Sequence, residues 1–218
     1  MCGRMYVAKA TKENLRAWAR RVTAGEEPGL ARENSHSNFN VRPTDPLEVA
    51  QSQGLRLMRW GFVTDKSNSV FNARKESLGW PLWRDCLAKR RGVICVDGFY
   101  EWTGEKGAKQ AHAIQRQDGE PMFMGVVWEE ITDPRTGKQT DMFSIITTPA
   151  NEWMTRLRNR MPLILDPEQA RQWIDPATPL PEAKRLIAPY LGKLSEFECP
   201  PPKADVQPAE GRGNLFQD

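Results

Sequence analysis

Several protein classes require features that this chain has little of. Its 218 residues hold no apolar run near the eighteen or so that a membrane-spanning helix needs. Charges scattered through the first thirty residues exclude a secretory signal. The four cysteines, Cys2, Cys86, Cys95 and Cys199, show none of the close pairings of a zinc site, which predicts free thiols in a reducing, cytoplasmic setting and no metal. Histidine occurs only at His36 and His112. Neither a GxSxG elbow nor an HExxH pair is present, so nothing supports a general protease. There is no internal repeat and no large excess of one charge. A net charge of +3 and a pI near 8.7 permit a local nucleic-acid-binding patch without demanding one. The expectation is a monomer with no cofactor and no membrane partner.

With 39% hydrophobic and 27% charged residues the chain can bury one core. The expected organisation is one α+β domain over 1–198 and a flexible Pro- and Gly-rich tail over 199–218. In "TKENLRAWARRV", Thr11 can cap a helix whose Leu15, Trp18, Ala19 and Val22 recur at helical spacing. "LEVAQSQGLRLMRWGF" reads as a hairpin turning at Gln53-Gly54. "GVICVDGFYEW" reads as a strand redirected at Asp97-Gly98, and "AHAIQRQDGEPMFMGVVWEEI" as two strands around an Asp118-Gly119 turn. "DMFSIITT" supplies another strand, so antiparallel sheet is expected. In "LDPEQARQWI", Asp166, Pro167 and Gln169 mark a helix start.

Against this frame some polar residues sit oddly. If "VFNARKESL" is extended, Asn72, Arg74 and Glu76 share a side. Glu101 lies between Tyr100 and Trp102. Either it is partly desolvated and suited to passing protons, or it faces solvent from an edge strand. In "TRLRNRMPLIL", Arg156, Arg158 and Arg160 alternate, so one extended face would present them either to phosphates or simply to water. Cys2 stands directly behind the initiator. It is either incidental or, once Met1 is removed, a 1,2-aminothiol.

Taken in order, "MCGR", "NFNVRPTD", "MRWGF", "FNARKESL", "RRGVICVDGFYEW", "FSIITTPAN" and "RMPLIL" resemble the SOS response-associated peptidase family, whose members recognise abasic sites in single-stranded DNA. The resemblance covers about Cys2 to Leu165. It implies a single α+β domain in which twisted antiparallel sheets form a barrel-like core with flanking helices. It also implies a basic groove for single-stranded DNA carrying abasic sites, and covalent capture of the abasic sugar by Cys2. Weak β-elimination lyase activity and N-terminal self-processing are the accompanying enzymatic expectations. Carried over residue by residue, it makes Asn72 the residue that hydrogen-bonds the opened sugar and Glu101 the acid/base. Arg4, Arg74 and Arg160 become holders of the DNA backbone, with Trp102 beside the pocket.

At Arg158 the family pattern has a histidine. Arginine stays protonated, so its expected role is to stabilise negative charge, leaving Glu101 as the main proton carrier. Two other readings share some of these features. An N-terminal-nucleophile amidotransferase also begins Met-Cys-Gly, but its later motifs are missing here. A non-covalent single-stranded DNA binder would use the same interleaved arginines and aromatics.

Overall fold

In the computed structural model the described residues are 3–23 and 36–208; Met1, Cys2, 24–35 and 209–218 lie outside them. The chain begins with β1 (Met5–Val7) and α1 (Lys9–Val22), followed by β2 (Asn38–Val41), β3 (Pro46–Gln51), β4 (Gly54–Trp60), β5 (Phe62–Thr64), β6 (Ser67–Val70) and β7 (Asn72–Arg74). After α2 (Pro81–Lys89) come β8 (Arg91–Val96), β9 (Gly98–Thr103), β10 (Gln110–Arg116), β11 (Met122–Thr132) and β12 (Gln139–Pro149). The last part holds α3 (Glu152–Thr155), β13 (Arg160–Pro162), β14 (Ile164–Leu165), α4 (Pro167–Ile174), α5 (Leu180–Arg185) and β15 (Leu194–Cys199).

Strands β3, β4, β12, β11 and β8 pair in a closed ring, because β12 bonds both β4 and β11. The ring is the barrel the family resemblance implied, with one refinement. A closed ring with an odd number of strands cannot alternate direction throughout, and the unavoidable parallel contact falls between β4 and β12, where Phe143 is level with Trp60. Strand β7 adds a second parallel pairing to β12. Alternate side chains point inward: Val49, Met58, Trp60, Ile94, Met124, Val126, Phe143 and Ile145 fill the ring. Inside it the Trp60 and Phe143 rings stack with centroids 6.5 Å apart. The opposite face, including Leu55, Val93, Phe123 and Val127, is covered by α1, α2 and α4.

A second sheet runs β15-β10-β9-β1-β2, all antiparallel. Asp97-Gly98 redirects the chain as expected, and it carries it from the barrel strand β8 into β9 of this sheet. The Asp97 carboxylate accepts from Ala8 N at 2.5 Å and Thr11 Oγ1 at 2.7 Å. Thr11 therefore buttresses this turn and does not cap α1, whose N-cap is Ala8. Gly98 has to be glycine, since a Cβ there would collide with the Ile114 carbonyl and the Tyr6 ring.

Other local expectations meet tertiary structure with mixed results. Leu15, Trp18, Ala19 and Val22 face the core as predicted, and Asp166 with Gln169 forms a full capping box on α4. The β3–β4 hairpin turns at Ser52-Gln53, with Gly54 already paired to Gln51 at a φ of 116°. The turn expected at Asp118-Gly119 falls one residue earlier, at Gln117-Asp118, with Gly119 N donating to Arg116 O at 3.1 Å, and β10 and β11 separate into different sheets and do not form a hairpin. Cys199 ends β15, and the segment beyond it folds back so that Phe39 N donates to Ala204 O at 2.9 Å. Residues 209–218 of the expected tail lie outside the described residues.

One buried arginine ties the helices to the barrel. Arg91 donates to the carbonyls of Trp173 (2.7 Å), Asp175 (2.8 Å), Ala88 (3.1 Å), Thr178 (3.2 Å) and Leu87 (3.3 Å), closing the ends of α2 and α4 together. Desolvation lowers its pKa from the ordinary arginine value.

Candidate functional site

A cleft of about 560 Å³ opens at the second sheet, lined by Gly3, Arg4, Glu101, Trp102, Lys109, Arg158, Pro201 and Pro202. Its floor is β9, an interior strand held between β10 and β1. This position decides between the two readings of Glu101. The carboxylate is not on an edge strand, and the residue is only 2% exposed. Arg158 Nε donates to Glu101 Oε2 at 2.9 Å, and Arg158 Nη2 donates to the Trp102 carbonyl. A buried carboxylate thus meets an arginine whose side chain is 39% exposed and lines the cleft.

Arg4 comes off the start of β1. Its carbonyl accepts from Tyr100 N at 3.0 Å, which fixes the approach of the N-terminal segment to β9. Arg4 Nη1 donates to Asn40 Oδ1 at 2.7 Å. Burial first, and then the nearby charge of Arg42, lower the Arg4 pKa from its ordinary value, with Asp45 opposing. The smaller part of that shift, from Arg42, is the part that reports positive potential and that an anion would relieve. Among the lining residues Arg4, Lys109 and Arg158 carry positive charge against the single carboxylate of Glu101. Trp102 is half-buried, its ring 6.3 Å from that of Tyr100, whose hydroxyl donates to Phe39 O at 2.8 Å.

The expected arginine face is not formed. The segment after α3 is a turn, with Leu157 N and Arg158 N both donating to Met154 O, and only Arg160 enters a strand. Each arginine has its own carboxylate. Arg156 binds Glu196 and lies 4.4 Å over the Trp153 ring, Arg158 binds Glu101, and Arg160 binds Glu76 at 2.8 and 2.9 Å. Asn151, whose side chain accepts from Met154 N at 2.8 Å, starts a short helix that ends just before Arg156, and the chain leaves that helix in a turn.

Asn72 and Arg74 share a face of β7, level with Ile145 and Thr147 of β12. The strand stops there, and Glu76 belongs to a 3-10 turn at Lys75–Ser77. Arg160 also donates to Thr147 O at 2.6 Å, and its guanidinium holds the Glu76 carboxyl below the usual carboxylate range. Arg74, Glu76, Thr147 and Arg160 therefore make a second charged cluster. None of these four residues lines the cleft. Lys109, Pro201 and Pro202 were not anticipated; only the return of the chain after β15 brings the prolines there. Cys2 lies outside the described residues, one position before Gly3. Among the described residues no group of three or more His, Cys, Asp or Glu is placed to hold a metal, and no helix is long and apolar enough to cross a membrane.

The sequence profile described as SOS response associated peptidase (SRAP) matches residues 1–208. The chain belongs to this family. Among its relatives, the abasic site processing protein YedK of Escherichia coli (strain K12) is 27% identical, across 98% of this chain and 97% of that protein. The abasic site processing protein HMCES of Gallus gallus is 29% identical, across 87% of this chain and 70% of its own length. A solved protein from Bacteroides thetaiotaomicron has the same fold, with a TM-score of 0.75 at 22% identity, each chain covered to 92%. The fold expected of an SRAP member, an α+β domain around a barrel, is the fold observed.

Proposed function

We propose that the protein senses abasic sites in single-stranded DNA and captures them covalently through Cys2 after removal of Met1. The observation that carries this reading is Gly3. It lines the same cleft as Glu101, Arg158 and Arg4, and the β1–β9 register, extended by two residues beyond Met5↔Phe99, sets it opposite Glu101. One peptide unit, about 3.8 Å between Cα atoms, then separates residue 2 from the cleft wall. The relatives' names supply the substrate class, and a cleft richer in cations than carboxylates suits a phosphodiester strand.

An abasic deoxyribose equilibrates with its open aldehyde. The α-amine of Cys2, partly neutral near pH 7 to 8, attacks that carbon, and loss of water gives an imine. The thiol of the same residue then adds to the imine carbon and closes a five-membered thiazolidine, with one water released in all. Tethering supplies the high effective concentration for closure. Glu101 is the group in position to move protons at the imine, while Arg158 holds it and offers charge to the sugar or a phosphate. Arg4 and Lys109 bind the backbone at the cleft, and Asn72, Arg74 and Arg160 continue the track beyond it. A phosphate reaches Arg160 only by displacing Glu76. Ring closure suppresses β-elimination, which makes strand incision a minor activity, and self-release of Met1 is the only peptidase chemistry required. One chain lines the whole cleft, so a monomer in the bacterial cytosol or nucleoid suffices.

The test is to mix trimmed protein with a single-stranded oligonucleotide carrying one abasic site and measure intact mass under denaturing conditions. The expected species has the summed mass less one water and is absent in Cys2→Ala. Its persistence in Cys2→Ala, or retention of the DNA only under native conditions, would refute covalent capture by Cys2. Arg158→His should restore a proton carrier while surrendering the Trp102 carbonyl contact. Changed rates of adduct formation or reversal are expected, and identical rates in both directions would refute the assigned role of Arg158.

A further inference from the structure

His112 lies in none of the family's motifs, yet it faces the floor of the site. In the β9–β10 register it stands directly opposite Glu101. Residues so paired project from the same face of a sheet with Cβ atoms about 4.5–5.5 Å apart. His112 is only 6% exposed. Its Nε2 is 2.7 Å from the hydroxyl of Thr103, two residues beyond Glu101 on the same strand face. Its Nδ1 is buried without a hydrogen-bond partner, 3.6 Å from Glu196 Oε1 of β15. Glu196 in turn binds Arg156, two residues before the Arg158 that binds Glu101.

We propose that His112 is a positioning residue for Glu101, supplying from β10 the titratable partner that Arg158 is unable to be. The proposal rests on the function proposed above. The charged and titratable groups around the imidazole are Glu101 from β9, Glu196 and Glu198 from β15, and Arg156 and Arg158 from the turn after α3. With His112 neutral, Glu101–Arg158 and Glu196–Arg156 are two balanced pairs. A proton taken up from solvent at Nδ1 places a third cation between the two carboxylates. It competes with Arg156 for Glu196 and with Arg158 for Glu101, so the Glu101 carboxylate is shared between two cations and the orientation in which it meets the sugar depends on the His112 proton. Reaction rate then depends on pH through His112, although position 158 carries no histidine.

Two measurements test this. With only two histidines in the chain, the His112 ring can be followed by NMR. Its titration midpoint should fall by half a pH unit or more in Glu101→Gln, because the imidazolium loses an adjacent carboxylate. For function, His112→Gln keeps an amide nitrogen where Nε2 meets Thr103. It should form adduct about tenfold more slowly than wild type at pH 6 and at nearly the wild-type rate at pH 8.5, with its thermal midpoint little changed. An unmoved NMR midpoint, or a wild-type to variant rate ratio independent of pH, overturns the proposal. If His112→Gln fails to fold, the titration in wild type and Glu101→Gln decides. Wild-type protein that forms no adduct at any pH would refute the underlying function, whereas an unmoved NMR midpoint refutes the His112–Glu101 coupling without reference to adduct formation, so the two failures are distinguishable.

Discussion

Removing the Arg158 guanidinium tests the central contact of the site. Arg158→Met keeps the aliphatic stem while losing the 2.9 Å bond to Glu101 and the bond to the Trp102 carbonyl. Breaking a fully buried pair costs about 3–5 kcal/mol, and an exposed pair is worth about 0–1 kcal/mol. Here the carboxylate side chain is 3% exposed and the guanidinium 39%, so an intermediate loss of about 2 kcal/mol is expected. That corresponds to a fall of about 6 °C in Tm for a chain of this size. The sharper measurement is a double-mutant cycle with Glu101→Gln, read by urea unfolding, because it cancels whatever else either side chain contacts. A coupling energy of about 1.5 kcal/mol is expected, with little sensitivity to salt because one partner is buried. A coupling below about 0.3 kcal/mol would show that the two groups do not interact, and the account of the cleft floor would fall with it.

Three further outcomes follow from the fold. Gly98→Ala forces a Cβ into the Ile114 carbonyl and the Tyr6 ring, neither of which can swing aside; a loss of about 3 kcal/mol, read as a Tm about 10 °C lower, is expected. Arg91→Met leaves three buried and two part-buried carbonyls without their donor and should cost about 3–4 kcal/mol by urea unfolding, with adduct formation by the folded fraction unchanged. In alkali the fold should weaken. Burial raises the pKa of Tyr6, Tyr100 and Cys95, and pushes Cys86 up to about 11 with Glu129 adding to the effect. The folded state therefore keeps protons that the unfolded chain releases above about pH 9, so stability falls as pH rises through that range. A urea midpoint at pH 10.5 equal to that at pH 8 would contradict these burial assignments.

Local signals in the sequence proved readable where the local interaction is also the final one. The Asp166-Gln169 box, the α1 apolar stripe and the Asp97-Gly98 redirection are of this kind. Signals failed where a distant partner decides. Thr11 looks like a cap until Asp97, eighty-six residues away, takes its hydroxyl. The alternation of Arg156, Arg158 and Arg160 suggests a strand until Asn151 caps a helical turn and three separate carboxylates claim the three guanidinium groups. Glu101 was noticed for its aromatic neighbours, but its burial comes from β1 and β10 on either side, which composition does not reveal. His112 carried no local signal, since its meaning lies in a register between strands.

The cleft takes one wall from Gly3 and Arg4 and another from Pro201 and Pro202, so its two sides are nearly two hundred positions apart along the chain. During synthesis the first wall leaves the ribosome long before the second. At about 5–20 residues per second that interval is roughly ten seconds or more. Throughout it the barrel strands can form while the pocket stays open on one side, and only the docking of β15 and the prolines behind it completes the enclosure. Completion of the cleft is thereby tied to β15 and the residues behind it, not to the segment that carries Gly3 and Arg4.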